Sequence, residues 1–543
     1  MASSSLSTIL FLFLFLFTSP SLADTSITPA TACTPTPDPT YCKSVLSSDG
    51  QTTLQNHGLF SIKQSLNHAR KFAALVDSYL RLGSSFSQST IRALEDCQLL
   101  SSLTTDYLSN SINLLNSTDF DTDDVQTLLS AIITNQQTCL ESLQESATGS
   151  TIQNSLSTAL LNDTKLHRVS LALFTSAWPH SPKKHKRGRL RPGRKLFSNL
   201  GREISEFKSR RRLLQSSTAL DSVVVRDIVV VSQDGSGNFI TINSAVAAAP
   251  DNTNISDGYF VIYVKAGLYQ EYVSVNKTKK NLMMIGDGIN QTIITGNRNV
   301  VDGSTTFNSA TFAVVGEGFV AINITFRNTA GAVKQQAVAL RSGADFSTFY
   351  SCSFEGYQDT LYTHSLRQFY RDCHIYGTVD FIFGNAAVVF QNCNIYARLP
   401  ISGQSNTITA QGRTDPNQNT GTSIHNCRVA AASDLAAANG STKSYLGRPW
   451  KQYSMTVYMQ SFIDSLIDPA GWLPWSGDFA LSTLYYAEYN NTGPGSNTSS
   501  RVTWTGYHVI NASSTASNFT VSKFISGDSW IPASGVPYVG GLL

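Results

Sequence analysis

Beyond residue 23 this chain has no run long and apolar enough to span the roughly 30 Å hydrocarbon core of a bilayer. It lacks a Gly-x-Ser-x-Gly segment, which excludes the nucleophile elbow of the usual ester hydrolases. His364, His374 and His425 are scattered without ligand spacing, so no metal is expected. Asp234-Gly235-Ser236-Gly237 has no following Lys-Ser/Thr and no helix, which removes a phosphate loop, and no cofactor is implied. The C-terminal part lacks a cationic surplus: residues 215–543 hold nineteen Lys and Arg against twenty-one Asp and Glu.

The net charge of +3 is concentrated elsewhere. Residues 181–214 hold thirteen Lys and Arg against two Glu, together with Pro182, Pro192 and Gly193, and read as an exposed basic linker. Arg194-Lys195-Leu196-Phe197 and Arg211-Arg212-Leu213-Leu214 are dibasic sites at which a processing protease is expected to cut, the second being favoured. The run Lys183-Lys184-His185-Lys186-Arg187 would suit nuclear targeting or nucleic acid, but the N-terminus argues against both. Ile9 to Phe17 is unbroken and apolar, and Ser21-Leu22-Ala23 is a small-x-small site. Although the stretch before it lacks Lys and Arg, residues 1–23 read as a signal peptide, since nine residues cannot cross a membrane. A secreted chain, free of the membrane once the signal is removed, is expected. Eleven Asn-x-Ser/Thr sequons, among them Asn116, Asn254, Asn276, Asn323 and Asn511, fit a glycoprotein.

A length of 543 residues implies more than one core. In residues 24–180, Leu94, Cys97, Leu100, Leu103 and Tyr107 recur at helical steps, as do Val125, Leu129, Ile132, Cys139 and Leu143. An all-α bundle of antiparallel neighbours is expected there. Residues 215–543 change character to β-branched runs rich in Gly and Asn. Phe349, Cys352 and Phe354 recur as Tyr370, Cys373 and Ile375, as Phe390, Cys393 and Ile395, and again at Ile424, Cys427 and Val429. Phe319, Ile322 and Ile324 are an earlier match. A step near twenty on short β-rich segments suggests one coil of a parallel β-helix per repeat. Adjacent coils about 4.8 Å apart would allow a Cys352–Cys373 bridge. Buried free thiols acting as small hydrophobes are the alternative, and the bridge is favoured.

Asp359 and Asp380 share the 21-residue step, so they are expected to stack about 5 Å apart, one of them holding a proton. That separation alone also suits a retaining glycosidase. Their surroundings discriminate. Gly356-Tyr357-Gln358-Asp359-Thr360-Leu361, Gly377-Thr378-Val379-Asp380-Phe381-Ile382-Phe383-Gly384, Gln336-Ala337-Val338-Ala339-Leu340, Leu446-Gly447-Arg448-Pro449-Trp450 and Gly267-Leu268-Tyr269-Gln270-Glu271 closely resemble the plant pectin methylesterases, over about residues 226–540.

The N-terminal part resembles the pectin methylesterase/invertase inhibitor family, which implies a four-helix bundle with Cys33–Cys42 and Cys97–Cys139 bridges. For the C-terminal part the resemblance implies a right-handed parallel β-helix that hydrolyses methyl esters of pectin as a monomer in the cell wall, with inhibitor proteins as further partners. It implies Asp380 as nucleophile, Arg448 as its ion partner and Asp359 as general acid then base, kept protonated by the nearby anion. Gln358 and Gln336 become oxyanion donors, which favours acyl chemistry over glycoside cleavage. Thr306 and Trp450 become substrate contacts, joining Gln336 and Arg448. Two other readings stay open. One is a pectin depolymerase on the same scaffold. The other is a binding protein whose C-terminal half is inert, against which intact Asp359, Asp380 and Arg448 speak.

Overall fold

The computed structural model describes residues 26–48, 50, 52–82, 86–146, 151–179, 223–438 and 442–543. The signal segment, the basic linker and its dibasic sites lie outside them. Among the described residues no helix is long and apolar enough to cross a membrane.

The first half is helical. Two short helices, α1 (Pro29–Ala32) and α2 (Pro39–Leu46), are joined by the Cys33–Cys42 disulfide, Cα atoms 5.6 Å apart. Four long ones follow: α3 (Leu54–Leu80), α4 (Gln88–Leu115), α5 (Thr122–Ser146) and α6 (Thr151–Ala177). Thr53 and Ser87 cap α3 and α4 by accepting from Asn56 N–H and Thr90 N–H, and Asp123 and Asp124 favour the positive end of the α5 dipole. Ile62, Leu66, Leu108, Val125, Leu129, Ile132, Leu171 and Phe174 from all four helices form a dry core. Cys97–Cys139 ties α4 to α5, as the resemblance implied.

The second half is a coil of strands in three wholly parallel sheets of eleven, seven and eight strands, each strand pairing with its equivalent one turn on. The repeat is realised in the register: Phe349 pairs with Tyr370, Tyr370 with Phe390, and Phe390 with Ile424. Their rings stack inward, Phe349 on Tyr370 at 4.7 Å and Tyr370 on Phe390 at 4.6 Å. A turn residue with left-handed backbone stands before each ladder cysteine: Ser351, Asp372, Asn392 and Asn426, φ 50° to 58°. Polar short side chains tolerate that region, which explains the Asn and Asp content.

Three sequence expectations need correction. A short helix, Ile242–Ala248, does follow Asp234-Gly235-Ser236-Gly237, capped by the Thr241 hydroxyl, which accepts from Ser244 N–H. The earlier coil is offset by two residues: Phe349 pairs with Ala321 and Phe354 with Phe326, so Ile324 and not Ile322 holds the cysteine position. Alternation in a strand leaves a two-residue slip on the same face, so the hydrophobic pattern could not exclude it. Cys352 and Cys373 are free, as are Cys393 and Cys427. Their thiols donate instead to backbone carbonyls, Cys352 to Tyr350 O at 3.4 Å and Cys373 to Phe349 O at 3.4 Å. In-register parallel neighbours carry their side chains side by side, whereas a disulfide requires Cβ atoms that converge.

The two halves share two apolar clusters, the smaller of Leu128, Ala131 and Leu366. Phe72, Val76, Leu94, Leu100 and Leu143 of the bundle pack with Phe307, Val338, Tyr362 and Phe383 on the outer face of the seven-stranded sheet.

Candidate active site

Asp359 and Asp380 stand just before the neighbouring strands Leu361–Thr363 and Ile382–Gly384 of that sheet, in which Leu361 pairs with Ile382. The equal spacing places the two aspartates one coil apart. Both have left-handed backbone, φ 61° and 52°, a conformation held here by the ladder: Asp359 N–H donates to Val379 O at 3.0 Å and Asp380 N–H to Thr407 Oγ1 at 2.9 Å.

Arg448, just past the strand Ser444–Gly447, grips Asp380 with a two-pronged fork, Nε to Oδ1 at 2.8 Å and Nη2 to Oδ2 at 2.7 Å. Such a fork matches an ionised carboxylate. Thr407 adds a hydroxyl bond to Oδ1 at 2.6 Å. Asp359 has no such fork. It is 7% exposed, and burial first, then the Asp380 charge, holds its carboxyl well above the usual carboxylate range. The sequence reading attributed its proton to the neighbouring anion, but burial is the larger cause. One site therefore holds a carboxylate gripped by a cationic fork beside a carboxyl whose burial favours its proton.

Gln336, Gln358, Thr306 and Trp450 line the same cavity of about 480 Å³, with Tyr362, Phe383, Lys451 and Trp475. The Arg448 guanidinium lies 4.3 Å from the centre of the Trp475 ring. Thr407, Lys451 and Trp475 escaped the sequence analysis. Thr407 falls in the long excursion that interrupts the twenty-residue step, and Trp475 sits in a loop with no periodicity to single it out. His364, by contrast, is buried against Phe307 and Tyr362 and bonded to Thr138 at 3.0 Å. His374 packs edge-on to Tyr396, and His425 lies between Gln391 and Gln460.

The cavity has a second wall, made by α5. Along it Thr127 accepts from Asn419, Thr134 from Asn385 and Glu145 from Thr306, through backbone N–H at 2.8 Å and Oγ1 at 2.9 Å. Glu141 pairs with Lys451, and Asp124 with Arg367 at 2.8 Å. Those positions recur at helical spacing and form a polar stripe. From α4, Asp96 is buried between the Ser142 and Thr305 hydroxyls, and burial pushes its carboxyl up to about 7.

The pectinesterase family model matches residues 228–528, and the plant invertase/pectin methylesterase inhibitor model matches residues 28–173. The chain belongs to the pectinesterases. A "Probable pectinesterase/pectinesterase inhibitor 7" of Arabidopsis thaliana is 57% identical over 555 residues, covering 95% of each chain. "Pectinesterase 2" of Citrus sinensis is 50% identical over 515 residues, covering 94% of each. Among solved structures, a pectin methylesterase from carrot is 60% identical with a TM-score of 0.57. It covers 58% of this chain and 98% of its own. This pectinesterase thus joins an inhibitor-family bundle to a carboxylic ester hydrolase in one polypeptide.

Proposed function

We propose that the β-helix hydrolyses methyl esters of homogalacturonan to free acid and methanol, with Asp380 as nucleophile and Asp359 as acid and base. The observation that carries this is the pairing of an Arg448-anchored carboxylate with a buried carboxyl, its proton favoured by that burial, a single coil away. A carboxylate oxygen of Asp380 attacks the ester carbonyl, and the oxyanion meets the amide N–H groups of Gln336 and Gln358, a contribution of about 3–4 kcal/mol per donor. Asp359 gives its proton to the departing methoxide, leaving methanol and an acyl anhydride on Asp380. Water then attacks the acyl carbon, Asp359 takes back a proton, and galacturonate leaves. Methoxide is a poor leaving group, so this proton transfer is needed in both steps. Trp450 offers a face to a sugar ring, and Thr306 a hydroxyl and an N–H.

The bundle acts as an internal inhibitor until it is cut away. In support, α5 roofs the cavity and Glu145 occupies both donors of Thr306. The chain is exported to the cell wall, residues 1–23 leave first, and cleavage after Leu214 frees residues 215–543. Titration of the acid released from methylated pectin tests the whole reading. The fragment 215–543 should turn over without shortening the polymer, and the uncut chain should be much slower. Chain shortening instead would make it a depolymerase, and equal rates would remove the inhibitory role.

A further inference from the structure

Among the described residues two side chains bond the Asp380 carboxylate, and only one of them reaches the cavity. Arg448 lines it, whereas Thr407 does not and is 1% exposed. A residue so covered is no substrate contact, and what it does passes through Asp380. The sheet fixes its place. Thr407 stands in the strand Asn406–Gln411, pairs with Tyr445 and donates its N–H to Thr378 O at 3.2 Å.

The Thr407 hydroxyl meets Asp380 twice. It accepts the Asp380 N–H at 2.9 Å and donates to Oδ1 at 2.6 Å, closing a small ring that restrains rotation of the aspartate side chain. The ring also makes the two carboxylate oxygens unequal. Each oxygen of an ionised carboxyl has about two acceptor positions. Oδ1 commits both, to Thr407 Oγ1 and to Arg448 Nε at 2.8 Å. Oδ2 commits one, to Arg448 Nη2 at 2.7 Å. The donors of the described residues therefore leave one electron pair on Oδ2 to meet an electrophile.

We propose that Thr407 is a positioning residue, which ties Oδ1 to the sheet and makes Oδ2 the attacking atom. The proposal rests on the esterase reading. Oδ2 bonds to the ester carbon. The carbon–methoxy bond then breaks, and its electron pair leaves on the methoxy oxygen, which takes the Asp359 proton. Oδ1 becomes the carbonyl oxygen of the anhydride and keeps both of its donors throughout. Without the ring the carboxyl could turn, and a misaimed nucleophile is slow even when the ester is bound as tightly as before.

Each variant is made as the whole chain and cut in the linker with a dibasic-specific protease, and methanol release from methylated pectin is followed. Thr407→Val, nearly the same in shape, should lower kcat by about ten- to a hundredfold, the size of one hydrogen bond to a charged group, with KM changed less than about twofold. Thr407→Ser keeps the hydroxyl and should match the unmodified enzyme. An unchanged kcat in Thr407→Val, a loss confined to KM, or a Thr407→Ser enzyme as slow as Thr407→Val overturns the proposal while the esterase reading stands. A second measurement needs no change at Thr407. The Asp359→Asn chain, cut in the same way, is acylated with a p-nitrophenyl ester of a galacturonate oligomer, and its crystal structure is determined. The acyl group should sit on Oδ2, with Thr407 still bonded to Oδ1, and an adduct on Oδ1 defeats the proposal whether or not Thr407→Val folds. No methanol from the unmodified cut chain removes the esterase reading, and this proposal with it.

Discussion

The bundle and the coil hold four cysteines each, and they use them in opposite ways. In the bundle all four are paired, joining α1 to α2 and α4 to α5. In the coil all four are free, buried and stacked one above another. Helices in a bundle touch only through side chains, so a covalent tie adds a constraint that no backbone ladder supplies. Each interior coil of the β-helix is already bonded to the coils on either side. The same residue type therefore acts as a staple in one half and as a small apolar filler in the other. The candidate site is divided equally sharply: one half carries Asp359, Asp380 and Arg448, and α5 of the other half walls the cavity they line.

The most severe test of that division is Asp380→Asn. Activity should fall by about 10⁴-fold or more, in the fragment and in the uncut chain alike, since both lose the nucleophile. Release of methanol at a substantial rate by this variant would mean that the roles of the two aspartates are reversed. Next in size comes Cys97→Ala with Cys139→Ala in the full chain. Opening a loop with a sequence separation of 42 should cost the bundle about 4 kcal/mol. Thermal melting should show an early loss of helix, with esterase activity rising as the cover loosens. If the bundle melts unchanged, the staple is ornamental.

Asp96 gives a pH dependence with a definite sign. Its folded pKa, about 7, is raised from 3.8 mainly by burial. Arg341 and the Thr305 and Ser142 hydroxyls oppose that shift, and Glu145 adds to it. The stability it allows is complete below about 4 and is lost as pH rises through about 7, by at most about 1.4 kcal/mol per unit. Docking of the bundle should weaken across that window, read as increasing activity of the uncut chain corrected for the fragment's own profile. Asp96→Asn should flatten the curve, and a curve equally steep in that variant would dismiss Asp96 as the titrating group. The smallest effect is expected in the thiol ladder. Cys373→Ala in the fragment should cost about 1 kcal/mol, and reducing agent should not change the melting of the unmodified fragment. A reductant-sensitive fragment would mean that the coil carries a bridge after all.

The coil was legible because its repeat is written in side chains that must point inward: Phe349, Tyr370 and Phe390 stack because each strand lies on its own copy. The earlier slip at Phe319 was not legible, since either two-residue alignment buries apolar groups. The aspartates, Arg448 and the two glutamines stand in short segments that identify themselves. Thr407 and Trp475 reach the site only through long-range folding. The stripe on α5 was the least visible feature. Thr127, Thr134, Thr138 and Glu145 read as an ordinary wet helix face, and only the surface they meet distinguishes them. The state of the cysteines was ambiguous because proximity is common to a bridge and a ladder, and direction decides.

The excursion between Cys393 and Cys427 lengthens one turn of the coil, yet Phe390 still lies on Ile424 and Ile395 on Val429. Asn417, Gln418 and Asn419, which meet α5, belong to that excursion. Part of the surface that meets α5 is thus housed in an appendage of the winding, while Asp359 and Asp380 stand in its regular turns. Such an arrangement lets Asn417, Gln418 and Asn419 change at little hazard to the aspartates, provided that Thr407, earlier in the same excursion, keeps its bond to Asp380. A duplicated copy could acquire a new guardian, or lose its old one, while its catalytic winding stayed as it was.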